Sequence, residues 1–296
     1  MSWSAVIGDG CSLVLAGAAV GPPGAGDTAV ASGGPSVPDA DAPYPTACLR
    51  RGLLLHDGGV DLSEEGVGFG VPVAKRGRET VFPGALEVTE VCRGPRPRLV
   101  AAYTLDLVER LSGADGGVVD RRGLYDAKDA LAALHRRAPA LRGPLAAASS
   151  LLRAGLGWTT VYERARSAGG VVVTCEVDPA RGVLAVEVDL TGLVSDVGEV
   201  VVMNEQGARC FDRYVEDGGA PRDASGLATW DTVGAWRAGF VSGARRVAFW
   251  AVRADGARLY RGRELVGSRL SWAGFGYSAP PGLGRLRYEI AVERLP

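Results

Sequence analysis

Three polar residues close an apolar run in "VVVMNEQGARCFDRY" (Val200–Tyr214): Asn204, Glu205 and Gln206, followed by Gly207. Polar groups at the end of a buried strand are common turn formers. They also stand where a rigid sheet can hold a ligand. Glu205 is the best single carboxylate in the chain for acid–base work. A second group lies in "LYRGRELVGSRLSWAGFGYSAPPG" (Leu259–Gly282), where Arg261, Arg263 and Glu264 sit near a strand end and Trp272, Phe275 and Tyr277 follow in a glycine-spaced strand. Residues 201–296 carry 12 of the 20 Phe, Trp and Tyr residues, and most of these must be core. Trp236 and Tyr277 lie in less hydrophobic surroundings, suited to presenting a ring. Tryptophan faces, arginines and carboxylates together are what sugars require: C–H faces stack on rings, while hydroxyls and uronate carboxylates take polar partners. The expected catalytic residues are His56, Glu205 and Tyr277. The expected ligand-binding residues are Arg76, Arg78, Asn204, Trp236, Arg261, Arg263, Glu264 and Trp272.

The stretch "EEGVGFGVPVAKRGRETVFPG" (Glu64–Gly84) invites a phosphate-loop reading, and its spacing refuses it. Lys75 is followed by no Ser or Thr, and Val73 stands where a dinucleotide fingerprint needs its third glycine. The chain continues as Val71-Pro72-Val73, extended and not helical. A hairpin fits better, with Gly68–Lys75 and Glu79–Phe82 as strands and Arg76–Arg78 as the turn. Alternating Gly66, Gly68 and Gly70 leave one face of that strand bare, open to another backbone, an aromatic ring or a ligand. An aromatic of the core is the favoured occupant. Pro72 places the strand at an edge or a bulge.

Only two histidines occur. His135 sits in a helical segment beside Arg136 and Arg137 and reads as structural. His56, in "LLLHDGG", lies at a strand end with Asp57 adjacent, an arrangement that suits proton transfer near neutral pH. Glu64 and Glu65 with a further carboxylate would resemble a glycosidase pair, which their separation would decide. No G-x-S-x-G, H-E-x-x-H or Cys/His motif is present. No metal site and no cofactor are therefore expected. The five cysteines are widely spaced without a C-x-x-C, and read as reduced, structural thiols of a cytoplasmic protein. The N-terminal apolar run lacks a basic flank, is interrupted by Asp9, and is too short for a membrane span. A net charge of −1 gives no electrostatic footprint for nucleic acid. Neither nucleic acid nor membrane is an expected partner.

The elements that must position these residues are strands. "VLAVEVDL" (183–190) alternates cleanly, as does "VVVTCEVD" (171–178), and Pro179–Gly182 between them makes a hairpin. Residues 98–110 form one long strand, and the last strand turns Leu286, Tyr288, Ile290 and Val292 inward. Residues 199–205 and 245–253 are apolar on both faces, as strands covered on both sides are. Residues 21–46 form a loop, with 11 Gly or Pro among positions 21–45. Residues 121–155 read as a helical insert, opening its second part at Pro144 and closing at Gly155. Roughly fifteen strands with short turns predict a mainly β chain: one domain over residues 1–296, a large antiparallel two-sheet sandwich.

This many-stranded pattern, with a long loop near the N-terminus and an aromatic C-terminal half, resembles the large supersandwich domains of galactose-mutarotase-like proteins and of several polysaccharide lyases and glycosidases. The resemblance is one of architecture. It implies a carbohydrate connection and carries no residue across. The leading expectation is a carbohydrate-related β-sandwich that binds or processes a sugar or uronate, or another small acidic ligand, and as an enzyme would be a lyase or epimerase. The alternatives are a non-catalytic cytosolic sandwich that binds a protein partner or assembles as a homo-oligomer, and an enzyme of small-molecule metabolism.

Overall fold

The computed structural model describes residues 3–8, 10–15, 51–113, 159–227, 230–266 and 270–296. The glycine- and proline-rich loop at 21–46, the helical insert at about 121–155, His135 and Cys48 lie outside the described residues. The described chain is mainly β. Its eighteen strands join in one hydrogen-bonded sheet, every ladder antiparallel. The single helical element among the described residues is a 3-10 turn at Pro281–Leu283. No helix among them is long and apolar enough to cross a membrane.

The strands follow two runs. The first runs through β1 (Trp3–Gly8), β2 (Cys11–Leu15), β3 (Leu53–Asp57), β5 (Gly68–Arg76), β10 (Glu199–Gln206), β17 (Leu270–Ala279), β16 (Arg258–Val266) and β13 (Asp231–Thr232), with β4 (Val60–Asp61) on β3. The second runs through β6 (Glu79–Cys92), β7 (Arg98–Ser112), β8 (Thr159–Asp178), β9 (Val183–Asp189), β18 (Arg285–Arg294), β15 (Val247–Val252), β14 (Arg237–Ser242), β11 (Arg213–Glu216) and β12 (Arg222–Asp223). The β5–β6 hairpin joins them, pairing Ala74, Lys75 and Arg76 with Val81, Thr80 and Glu79. Its turn is the two residues Gly77 and Arg78, and Gly77 takes the left-handed φ of +59° that such a turn asks for.

Rings of one run meet rings of the other. Phe69 of β5 lies 5.5 Å from Phe249 of β15, Phe275 of β17 lies 5.1 Å from Phe240 of β14, and Tyr277 stacks on Tyr288 at 4.0 Å. Fully burying each such side chain contributes about 1.5–3 kcal/mol. The alternation anticipated for β18 holds, with Leu286, Tyr288, Ile290 and Val292 buried and Arg285, Arg287 and Glu289 exposed. The 171–178 and 183–190 hairpin also holds, in register from Val172 opposite Asp189 to Asp178 opposite Val183.

What meets the glycine stripe at Gly66 and Gly68 is backbone, while a Cβ at Gly70 would meet the side chains of Val173 at 3.6 Å and Cys175 at 3.8 Å. A Cβ added at Gly68 would lie 2.6 Å from the carbonyl carbon of Gly52, and one at Gly66 would lie 2.8 Å from the carbonyl oxygen of Glu205. Gly68 and Gly70 also hold φ of +93° and +83°. Gly70 is the extra residue of a bulge, because Met203 pairs with Val71 and Asn204 with Phe69. Gly66 and Gly68 thus let β10 and the start of β3 close on this stretch, and the favoured aromatic occupant gives way to main chain there and to small apolar side chains at Gly70. At Pro72, β5 is paired on one side by Val202, while its β6 ladder starts at Ala74 and its β3 pairing is at Phe69. A residue without an N–H fits there.

Candidate functional site

Cross-strand register assembles one face of β10, β17 and β16. Glu205 lies opposite Gly274, which lies opposite Gly262, and Trp272 lies opposite Glu264. Residues directly opposite in an antiparallel ladder share a face, so Glu205, Glu264 and Trp272 point to the same side with glycines between them. Trp230, in the segment before β13, stacks on Trp272 with ring centroids 5.0 Å apart and 25° between planes. Gly276 makes this possible, since a Cβ there would lie 3.2 Å from the Trp230 ring. Trp272 is buried beneath, and Trp230 keeps partial exposure.

Glu205 is 3% exposed, and its Oε2 accepts the Val67 N–H at 3.4 Å. Burial pushes its carboxyl up to about 8, the Val67 hydrogen bond pulls the other way, and the charge of Glu264 adds to the rise. Glu205 is therefore protonated at neutral pH and can donate a proton or a hydrogen bond. A carboxylic acid, a second acidic residue and an aromatic platform share one sheet face.

The other expected residues fall elsewhere. Asn204 and Gln206 point to the opposite side from Glu205, one by one along the strand. Asn204 is fully buried, accepts from Gly70 N–H and the Tyr288 hydroxyl, each at 3.1 Å, and donates to the Val202 carbonyl at 3.1 Å. Gln206 accepts the Leu55 N–H at 3.0 Å and donates to the Leu53 carbonyl at 3.3 Å, stitching β10 to β3. Tyr277 is also fully buried, and its hydroxyl donates to the Val252 carbonyl at 2.7 Å, so it faces protein and not solvent.

Arg261, Arg263 and Glu264 do not act as one group. The two-residue period of β16 turns both arginines to the side away from Glu264. Arg76 and Arg78 stand at the far end of β5. Arg76 pairs with Glu79 at 2.9 Å and donates to the Arg166 carbonyl at 3.1 Å. Their neighbour Lys75 lies opposite Glu199, six residues along β10 from Glu205, a span of about 20 Å. His56 lies on β3 between Ser12 and Asp61. The adjacent Asp57, expected to orient it, instead accepts from Arg245 at 3.2 Å and from Arg294. Although burial opposes it, these two guanidiniums hold the Asp57 carboxyl below its usual range. Trp236, 64% exposed, precedes β14 in the second run. Glu64 binds Arg209 at 2.8 Å and accepts the Cys210 N–H at 3.1 Å, serving the loop after β10.

Sequence reasoning left Trp230 out of the site. Its signal was modest: a tryptophan in a Gly- and Asp-bounded segment without strand alternation. Cys92, Cys175 and Cys210 are free thiols, and burial pushes Cys175 up to about 12, which leaves it unreactive. Among the described residues no group of three or more His, Cys, Asp or Glu is placed to hold a metal ion.

The sequence matches no protein-family model and no curated protein. Several solved structures are similar in architecture. An α-N-acetylgalactosaminidase, NagBb from Bifidobacterium bifidum, in complex with GalNAc, aligns over 82% of this chain at 9% identity with a TM-score of 0.42. That alignment covers 33% of the galactosaminidase, so this chain corresponds to about a third of its length. Heparinase III aligns over 82% of this chain and 29% of its own, at 8% identity and a TM-score of 0.38. A galactose mutarotase-like protein from Clostridium acetobutylicum aligns over 75% of both chains, at 7% identity and a TM-score of 0.30. The resemblance to these solved structures is one of architecture alone.

Proposed function

We propose that the chain is a single β-sandwich domain that binds a carbohydrate, a sugar or uronate, on the face of β10, β17 and β16. The observation that carries this reading is the Trp230–Trp272 stack on the sheet face that also bears Glu205 and Glu264. Trp230 offers a flat ring to the C–H face of a pyranose. The two acidic residues offer hydrogen-bond partners to hydroxyls. The reaction such a face favours is proton transfer. Glu264 as a carboxylate accepts the proton from the carbon beside a uronate carboxylate, and Glu205 as the acid returns one to the leaving oxygen in a lyase, or to the opposite face in an epimerase. The free cysteines support a cytoplasmic setting, where thiols stay reduced.

A calorimetric and thermal-shift panel of neutral sugars, amino sugars, uronates and short uronate oligosaccharides tests the reading. A ligand at 100 times its dissociation constant adds about 2.7 kcal/mol of stability. The expected result is a saturable shift with at least one class, reduced in Trp230→Ala. Silence across the whole set rejects the carbohydrate reading.

A further inference from the structure

On the inward side of β16, the two arginines turned away from Glu264 have unused hydrogen-bonding capacity. Arg261 is 12% exposed, and its Nε and Nη1 are buried without a hydrogen-bond partner among the described residues. Glu216 and Asp231 approach it at 3.6 Å each, near enough to interact by charge but too long for a hydrogen bond. Its guanidinium lies 5.1 Å above the Tyr214 ring, whose hydroxyl is committed to Glu216 at 2.7 Å. Arg263 donates from Nη2 to the Ala208 carbonyl at 3.1 Å, while its Nε is buried without a partner among the described residues. Burial lowers the Arg263 pKa, and only the longer-range charges of Asp223, Asp212 and Glu64 oppose this.

Three guanidinium nitrogens on neighbouring same-face positions thus lack a hydrogen bond among the described residues, although Arg261 keeps its charge contacts with Glu216 and Asp231. Buried donors without a hydrogen bond are costly, and native folds supply such groups with an acceptor. Positions two apart on a strand are about 6.7 Å apart, which lets two guanidiniums converge on one group. The planar fork of arginine matches the oxygens of a carboxylate or phosphate. Arg222, 62% exposed and 5.5 Å over the same Tyr214 ring, stands at the solvent side with Glu216 at 4.0 Å. We propose that Arg261 and Arg263 together bind a small oxyanion, either the carboxylate of an organic acid or inorganic phosphate, on the side of β16 opposite the carbohydrate face. This site is independent of the carbohydrate reading and stands or falls without it.

Isothermal titration at constant ionic strength in chloride, with inorganic phosphate in one arm and succinate, a carboxylate with no sugar ring, in the other, tests it on the wild type, Arg263→Gln and Arg261→Lys. The expected result is saturable one-to-one binding of at least one of the two. Each variant should weaken it about tenfold or more, the worth of one lost charge-assisted hydrogen bond. Binding of succinate alone assigns an organic acid, and binding of phosphate alone assigns a phosphate. No saturable binding of either, or equal binding by correctly folded variants, overturns the proposal. If the variants do not fold, a crystal of the wild type grown with phosphate decides. An oxyanion between the two guanidiniums supports the site, and a water alone there overturns it.

Discussion

Asn204 and Tyr288 meet at 3.1 Å inside the core, the Tyr288 hydroxyl donating to Asn204 Oδ1. The same oxygen accepts the Gly70 N–H at the β5 bulge. One buried amide therefore fastens β10 of the first run to β18 of the second. Asn204→Leu strands both donors, and should cost about 2–4 kcal/mol in urea denaturation. Tyr288→Phe removes one donor and leaves the amide its other partner, so about 1 kcal/mol is expected. An Asn204→Leu protein as stable as wild type would mean that this link carries no weight.

The glycines of β5 separate two kinds of requirement. Gly68→Ala meets both a φ of +93° and main chain of Gly52 at 2.6 Å, so it should destabilise by more than about 2 kcal/mol. Gly77→Ala meets a φ of +59° with nothing within 4 Å, so only about 1 kcal/mol of backbone strain is expected. Equal losses in thermal melts of the two variants would contradict the close approach of β3.

The buried acid sets an alkaline limit on stability. The Glu205 carboxyl has its folded pKa raised from 4.5 to about 8. A raised folded value means the folded state holds a proton that the unfolded state releases. Its stabilising contribution is complete below about pH 4.5, declines as pH rises, and is gone above about 8. Glu205→Gln keeps the shape and removes the titration. Melting temperatures from pH 5 to 9 should fall less steeply for the variant, which should be the more stable protein at pH 9. Parallel curves for the two proteins would rule this out.

If the proposed carbohydrate face is right, the partly exposed Trp230 and the exposed Trp236 should behave differently. Trp230→Ala removes the outer ring of the stack and should weaken sugar binding about tenfold with little loss of stability. Trp236→Ala, on the other run, should leave the same titration unchanged. The reverse order of effects would move the site to the second run.

Much of this architecture is legible in local pattern. The period-two runs in β7, β9 and β18 name their buried faces residue by residue, and Pro179–Gly182 marks its hairpin. The site is less legible because it is made by register between distant segments. Nothing near Glu205 in sequence indicates that Gly274 lies opposite it, or that Trp272 is paired with Glu264. Arg261, Arg263 and Glu264 look like a cluster when written in a line, and the pleat divides them. The glycine stripe signalled a close approach correctly. What approaches depends on β3 and β10, which a reading of β5 alone does not contain.

The stitching of β10 to β3 and β5 has a kinetic consequence. Gln206 binds residues 151 and 153 positions earlier in the chain, and Glu205 pairs with Gly68. Before residue 206 emerges from the ribosome, β5 has only its short pairings with β3 and β6 to hold it. Contacts so distant in sequence make folding slow. During that wait an apolar strand with an open edge is offered to any other strand, including one from a neighbouring copy. Pro72, placed mid-strand between the reach of the β3 and β6 pairings, gives that waiting strand a gap in its hydrogen-bonding row.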